Sequence, residues 1–462
     1  MNELLTHLLH DRVAGLNDQP VREKSDFVLL WLHGQRRIVN NLAFAHAQRL
    51  ANELHKPLVV YEGLRRDHPY ASERFHQFVL EGVESNARNC EAHGVAYGFF
   101  LQTPDSPRGA LHALAARAAV VVLDYLPHFI HPKQAKALAS RAQCRVEAVD
   151  AAGVAPLKMF PKAELAARTL RPKLMRALPD LLQPIPRVPA KIAPLKRFDW
   201  GFTPFEGTPG EGVKSSEVSR EVTAAEGAEG GRAAGLRRLQ QFVQKGLHGY
   251  AEGRNEPAAN ATSGLSPYLH FGHLGAAEIA LAAQGSDAPG EDVDAFVEEL
   301  LVRRELSYNF VARTPKHDSL EAIPPWARET LRKHASDKRP ALPTDKELEE
   351  ARSPDPLWNA MQNQLLREGR IHGWLRMLWG KSLILWSKDA GTAYRRMSTL
   401  NDKYALDGRD AVSATNFLWC FGIHDRPFPE RPVFGTVRSM SLSLAPKKHD
   451  LVEYLRRYGT PA

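Results

Sequence analysis

DFVLLWLHGQRRIVNNLAFAHAQRLANELHKPLVVYE, residues 26–62, decides the first half of the fold. An apolar run, FVLLWL, gives way to a stretch in which small and apolar residues recur at helical spacing, and a second apolar run follows in KPLVVYE. Strands buried on both faces read as continuous apolar runs, and parallel neighbours need a helical crossover between them. The pattern repeats downstream: a long helical segment from Tyr70 to His93, GVAYGFFL, a helix near LHALAARA, AVVVLDYLP, a helix near PKQAKALASRA, and CRVEAVDA. Five strands separated by helices predict a parallel, doubly wound sheet, a Rossmann-like α/β domain over residues 1–157. It carries no G-x-G-x-x-G and no Walker lysine loop, which disfavours ordinary dinucleotide or nucleoside-triphosphate binding there.

Beyond the sheet the composition changes. Residues 158–235 form a connector: Lys158, Lys162, Arg168, Arg171, Lys173, Arg176, Arg187, Lys191, Lys196 and Arg197 outnumber the acids, and GTPGEGVKSSEVSREVTAAEGAEGGRAAG reads as a mobile loop. From 236 to 462 the apolar spacing is helical throughout, which predicts a second, all-helical domain. The 462 residues suit two domains. The net charge of +8 fits a polyanionic partner without proving one. No apolar run approaches a membrane span, and the N-terminus lacks the features of a secretory signal, so a cytoplasmic protein is expected. Cys90, Cys144 and Cys420 are widely spaced and odd in number, which suits free thiols, and no clustered His/Cys spacing supports a metal site.

Two segments carry chemistry. In TSGLSPYLHFGHLG, residues 262–275, small and hydroxylated residues precede a proline able to open a helix. Free backbone N–H groups with the hydroxyls of Thr262, Ser263 and Ser266 could grip a pyrophosphate; an ordinary helix cap is the alternative. The stretch from Trp358 to Trp386 holds four of the eight tryptophans. Trp379 and Trp386, seven residues apart, lie on one helix face with about 10 Å of rise between them, and core packing is the ordinary reason for such spacing.

Taken in order, these segments resemble the photolyase/cryptochrome family. The similarity continues through AARTLRPKL (166–174), VEELLVRRELSYNF (297–310), LWNAMQ (357–362), GRIHGWLRMLWGKSLILW (369–386), LNDKYALDGRD (400–410) and GIHDRPFPERPVFG (422–435). The wording is most similar to class II cyclobutane pyrimidine dimer photolyases. That resemblance implies reduced FAD in the helical domain, with Thr262, Ser263, Gly264, Leu265 and Ser266 at its phosphates. Tyr250, Asn401, Arg376 and Asp407 are then expected beside the flavin, with Trp358, Trp379 and Trp386 as an electron relay and Trp374 left to packing or surface. It further implies DNA containing pyrimidine dimers as substrate, met by Arg254, Glu299, Trp419 and Phe428, with Glu299 steadying a dimer carbonyl provided burial keeps it protonated. A helix-surface pair between Glu299 and Arg303 is the competing reading for that acid. An antenna chromophore of the deazaflavin type is possible in the α/β domain, and a monomer is expected. Three departures stand out: Phe428 replaces a tryptophan, AVSAT at 411–415 alters a loop beside the flavin, and Gln35 and Asn40 replace acids. A flavin photosensor without repair activity is the alternative function.

Overall fold

A computed structural model describes residues 3–195, 197–259 and 261–459. The sheet has six strands: β1 (Val13–Gly15), β2 (Phe27–Leu32), β3 (Leu58–Leu64), β4 (Ala96–Leu101), β5 (Ala118–Asp124) and β6 (Arg145–Val149). Their order is β1-β6-β5-β2-β3-β4, with only β1 antiparallel. The five long strands are those expected from the apolar runs. The added β1 is three residues at an edge, too short to show a period.

Helices α1 (Glu3–Leu9) and α2 (Leu42–Glu53) cover one face, and α5 (Ala110–Arg117) and α6 (His131–Ala139) the other. The single helix expected from Tyr70 to His93 is instead two, α3 (Glu73–Leu80) and α4 (Val83–Ala92). They part at Gly82, where another backbone comes close: a Cβ on Gly231, whose φ is +82°, would sit 2.8 Å from Gly82 Cα and from the Glu81 carbonyl oxygen.

The connector is packed rather than free. Helix α7 (Ala167–Leu181) buries Leu170, Leu174 and Leu178 among residues of the second domain. The following chain then straps the sheet, with Ile185 and Val188 on one face and Leu195, Phe198, Trp200 and Phe202 on the other. Gly98 makes room for this strap, since a Cβ there would lie 2.6 Å from the Trp200 ring. Lys191 and Arg197 are exposed along it; Lys196 lies outside the described residues.

The stretch taken for a mobile loop contains α8 (Pro209–Ser216) and leads into α9 (Gly231–Gln241). Its polar composition concealed a capping box: Thr208 N–H donates to Glu211 Oε2 at 2.7 Å while Glu211 N–H donates to Thr208 Oγ1.

Beyond α9 the described residues form no further named strand. The helices are α10 (Tyr250–Gly253), α11 (Ser266–His270), α12 (Ala276–Gln284), α13 (Gly290–Val297), α14 (Arg304–Arg313), α15 (Pro325–Lys333), α16 (Asp345–Glu349), α17 (Pro356–Glu368), α18 (Gly373–Leu385), α19 (Ala390–Tyr404), α20 (Ala411–Cys420) and α21 (Val452–Tyr458). Residues 411–415, expected as a loop, open α20 because Asp410 caps it, accepting from Val412 N–H at 2.9 Å. No described helix is long and apolar enough to cross a membrane.

Buried arginines dock the domains. Arg74 of α3 donates to the carbonyls of Leu365, Leu366 and Tyr404, the C-terminal ends of α17 and α19. Arg37 donates to Gln35 Oε1 and to the Gly272 carbonyl, and Asn40 donates to Glu278. Gln35 and Asn40 are thus committed to the chain's own contacts at the domain seam. At the strand-order switch between β2 and β5, the Asp124 carboxylate accepts from the backbone N–H groups of His33, Gly34 and Gln35. That carboxylate, at the position where doubly wound folds usually receive a ligand, is engaged by the chain's own backbone.

Candidate active site

The helical domain encloses a cavity of about 600 Å³ bounded by α10, α11, α14, α18, α19 and α20. Five arginines line it, Arg254, Arg303, Arg304, Arg376 and Arg438, against three acids, Glu299, Asp407 and Asp410. That excess of positive charge suits an anionic ligand.

The segment 262–266 lies at one end. Thr262 and Ser266 reach the cavity, whereas Leu265 is buried away from it. Gly264 adopts φ +66°, and a Cβ there would meet the Arg238 guanidinium at 2.9 Å. That guanidinium donates to the carbonyls of Ser263 at 2.6 Å and Thr262 at 3.1 Å, pinning the turn from behind.

Across the cavity, Arg376 of α18 meets Asp407 at 3.1 Å, and Asn401 of α19, 2% exposed, stands beside them. Arg376 Nε is buried without a hydrogen-bond partner among the described residues, so a polar ligand group there would satisfy it. His270 and Asp410 form a second pair at 3.3 Å. Burial lowers the His270 pKa, against the Asp410 hydrogen bond, which raises it. For Asp410 burial alone would raise the pKa. The His270 hydrogen bond and the Arg304 charge prevail and hold the carboxyl well below its usual range. Tyr250 packs edge-on against Phe242 and Phe296, and burial pushes its phenol up to about 12. It is both a core tyrosine and part of the wall.

Glu299 does not fit its expected description. Its side chain is 41% exposed and pairs with Arg254. Arg303 pairs instead with Glu298 at 3.4 Å and lies over the Trp419 ring at 5.5 Å. The reason is a π-helical stretch, Glu298–Arg303, whose wider turn separates the positions an α-helix would stack.

Trp379 lines the cavity with its ring 6.1 Å from that of Trp358 and nearly parallel to it, at 7°. Trp386 follows at 5.8 Å from Trp358, tilted by 69°. The spatial order is therefore 379, 358, 386, unlike the chain order, and all three are buried. Trp374, assigned to packing or surface, also faces the cavity, its ring centroid 4.2 Å from that of His449 and tilted by 60°. Phe428 is not among the cavity's lining residues. Its segment folds back, Phe428 N–H donating to the Thr436 carbonyl at 2.8 Å, so that Arg438 intervenes with its guanidinium 6.0 Å from the Phe428 ring. Sequence reading also missed Arg304, His270 and Asp410. Their signal lay in the quoted motifs: Arg304 opens α14, Asp410 caps α20 and His270 ends α11.

The DNA photolyase family profile matches residues 28–190. The deoxyribodipyrimidine photo-lyase of Methanothermobacter thermautotrophicus is 33% identical over 97% of this chain and 98% of its own length. That of Potorous tridactylus is 33% identical over 95% and 82%. Among solved structures, a class III photolyase from Agrobacterium tumefaciens superposes with a TM-score of 0.69 at 20% identity, covering 94% of this chain and 86% of that one. A Synechocystis cryptochrome gives 0.72 at 14%, covering 94% and 88%. The architecture is that of photolyases and cryptochromes. The chain belongs to the DNA photolyase family.

Proposed function

We propose that this protein is a light-driven DNA lyase that splits cyclobutane pyrimidine dimers, with FAD in the helical-domain cavity. The observation that carries this reading is the continuity of the site: a ligand-sized cavity with anion-binding walls opens onto Trp379, and the stacked Trp358 and then Trp386 continue from it. The unpartnered Arg376 Nε and the pinned turn at 262–266 fit such a cofactor. Reduced FAD, when bound, supplies the electron that opens the dimer under blue light.

The chain's own groups do the rest. Thr262 and Ser266 offer hydroxyls to the phosphates, and the backbone between them is held by Arg238. Arg376 and Asp407 set the charge beside the ring, and Asn401 offers a neutral amide there. Arg254, paired with Glu299, brings a cation to the lesion side, where negative charge develops on a dimer carbonyl. Trp419 offers an aromatic face to a flipped base. Phe428 acts from behind Arg438. DNA with pyrimidine dimers is the partner, and the α/β domain is the place for a deazaflavin-type antenna, which the absorption spectrum of the purified protein tests directly.

The deciding experiment mixes anaerobically reduced protein with an oligonucleotide carrying one thymine dimer, in blue light and in darkness. Light-dependent loss of the dimer is expected. A bound, photoreducible flavin with an intact dimer would overturn the reading in favour of a photosensor.

A further inference from the structure

The motif LWNAMQ ends on a glutamine that none of the roles above uses. Gln362 is fully buried, and its Oε1 accepts from the Trp379 indole N–H at 3.0 Å, while its Nε2 donates to the Glu349 carbonyl at 3.3 Å. An indole nitrogen only donates, so the amide oxygen must face it and the backbone carbonyl fixes the other end. The second ring is treated alike: Trp358 N–H donates to the Trp379 carbonyl oxygen at 3.1 Å. Both indole protons thus rest on amide oxygens, strong acceptors of a hydrogen bond and very weak bases. The Glu349 carboxylate is occupied elsewhere, by Lys403 and Tyr404.

We propose that Gln362 is a positioning and tuning residue of the tryptophan relay, which stabilises the oxidised Trp379 ring without accepting its proton. The inference rests on the relay assigned above. One electron leaves Trp379 for the photoexcited flavin, the N–H bond stays intact, and one electron from Trp358 restores the ring. No bond breaks at either indole, so the positive hole stays mobile. A base at this position would take the proton and strand the hole as a neutral radical.

Two substitutions test this. In Gln362→Leu one charge-assisted hydrogen bond is lost, which shifts the hole's partition from Trp379 toward Trp358 by roughly tenfold or more. In Gln362→Glu a carboxylate faces the N–H, and flash photolysis of the flavin-loaded protein should show the neutral tryptophan radical early, with little onward transfer above the carboxylate's titration. An independent readout needs no light: the Trp379 indole ¹⁵N–¹H resonance, assigned by its loss in Trp379→Phe, should shift in Gln362→Leu and lose protection from exchange.

An unmoved resonance, or a Gln362→Glu protein with wild-type cation kinetics across the pH series, overturns the inference while leaving the relay standing. Wild-type photoreduction in Trp379→Phe would overturn the relay, and this inference with it.

Discussion

Replacing Glu305 by Gln should make the protein more stable in alkali. Glu305, on α14, is 3% exposed and accepts from Val154 N–H, with the Ala155 N–H at 3.4 Å, where the chain leaves β6. A Cβ on Gly153 would meet its carboxylate at 2.7 Å, so the acid is closely wrapped. Burial, the largest influence, pushes its pKa up from 4.5 to about 7, and Arg12 and Arg304 offset only part of that. A raised acid favours the folded state while protonated, so its contribution is complete below the unfolded value and is lost as pH rises through 7. At about 1.4 kcal/mol per pH unit the loss is roughly 3 kcal/mol. Gln can still accept the Val154 N–H and never ionises. Unfolding free energies of the two proteins should coincide below about pH 4 and separate by roughly 3 kcal/mol above about pH 8, Gln being the more stable. A flat difference across that range would refute the reasoning. A Gln variant weaker in alkali would show that Arg12 and Arg304 stabilise the ionised acid instead.

Arg74→Ala should cost about 3–4 kcal/mol in urea unfolding, because it strips a guanidinium from the carbonyls of Thr223, Leu365, Leu366 and Tyr404 in the domain seam. A loss under about 1 kcal/mol would mean that water replaces it. Asp410 is held below its usual range, so its stabilising share is present above that range and lost as pH falls through it. Wild type should therefore lose its advantage over Asp410→Asn only in strong acid, measured as the convergence of the two unfolding midpoints, and an advantage constant with pH would contradict the assignment.

How much could be read beforehand follows the physics of each element. The five long strands were legible because strands buried on both faces must be apolar throughout, and the helical domain because its spacing persists for over two hundred residues. β1 was not, since three edge residues carry no period. The 209–216 helix was overlooked because Gly, Ser and Glu look like loop, although T-P-G-E is a capping-box start. The parting of α3 from α4 is a tertiary event: only the fold reveals that Gly231 meets Gly82. Likewise, Glu299 and Arg303 stand four apart in sequence, and nothing local to them announces a π-helical turn. The order of the tryptophans shows the same limit. Trp379 lies on α18 and Trp386 caps its end, yet the ring between them comes from α17, twenty-one residues before Trp379.

The placement of the site follows from how the two domains use charge. In the sheet, Asp124 turns its carboxylate onto three backbone N–H groups at the switch point, and Arg37, Gln35, Asn40 and Glu278 satisfy one another across the seam. In the cavity of the helical domain, Arg376 and Arg254 each keep a buried Nε without a partner among the described residues. Finishing those contacts is work for a polar, anionic ligand. The Arg74 guanidinium meanwhile holds the ends of α17 and α19, the helices that carry Trp358 and Asn401, against the α/β domain. The sheet's contribution to that cavity is therefore mechanical, holding the Asn401 amide and the middle indole of the tryptophan trio in one frame.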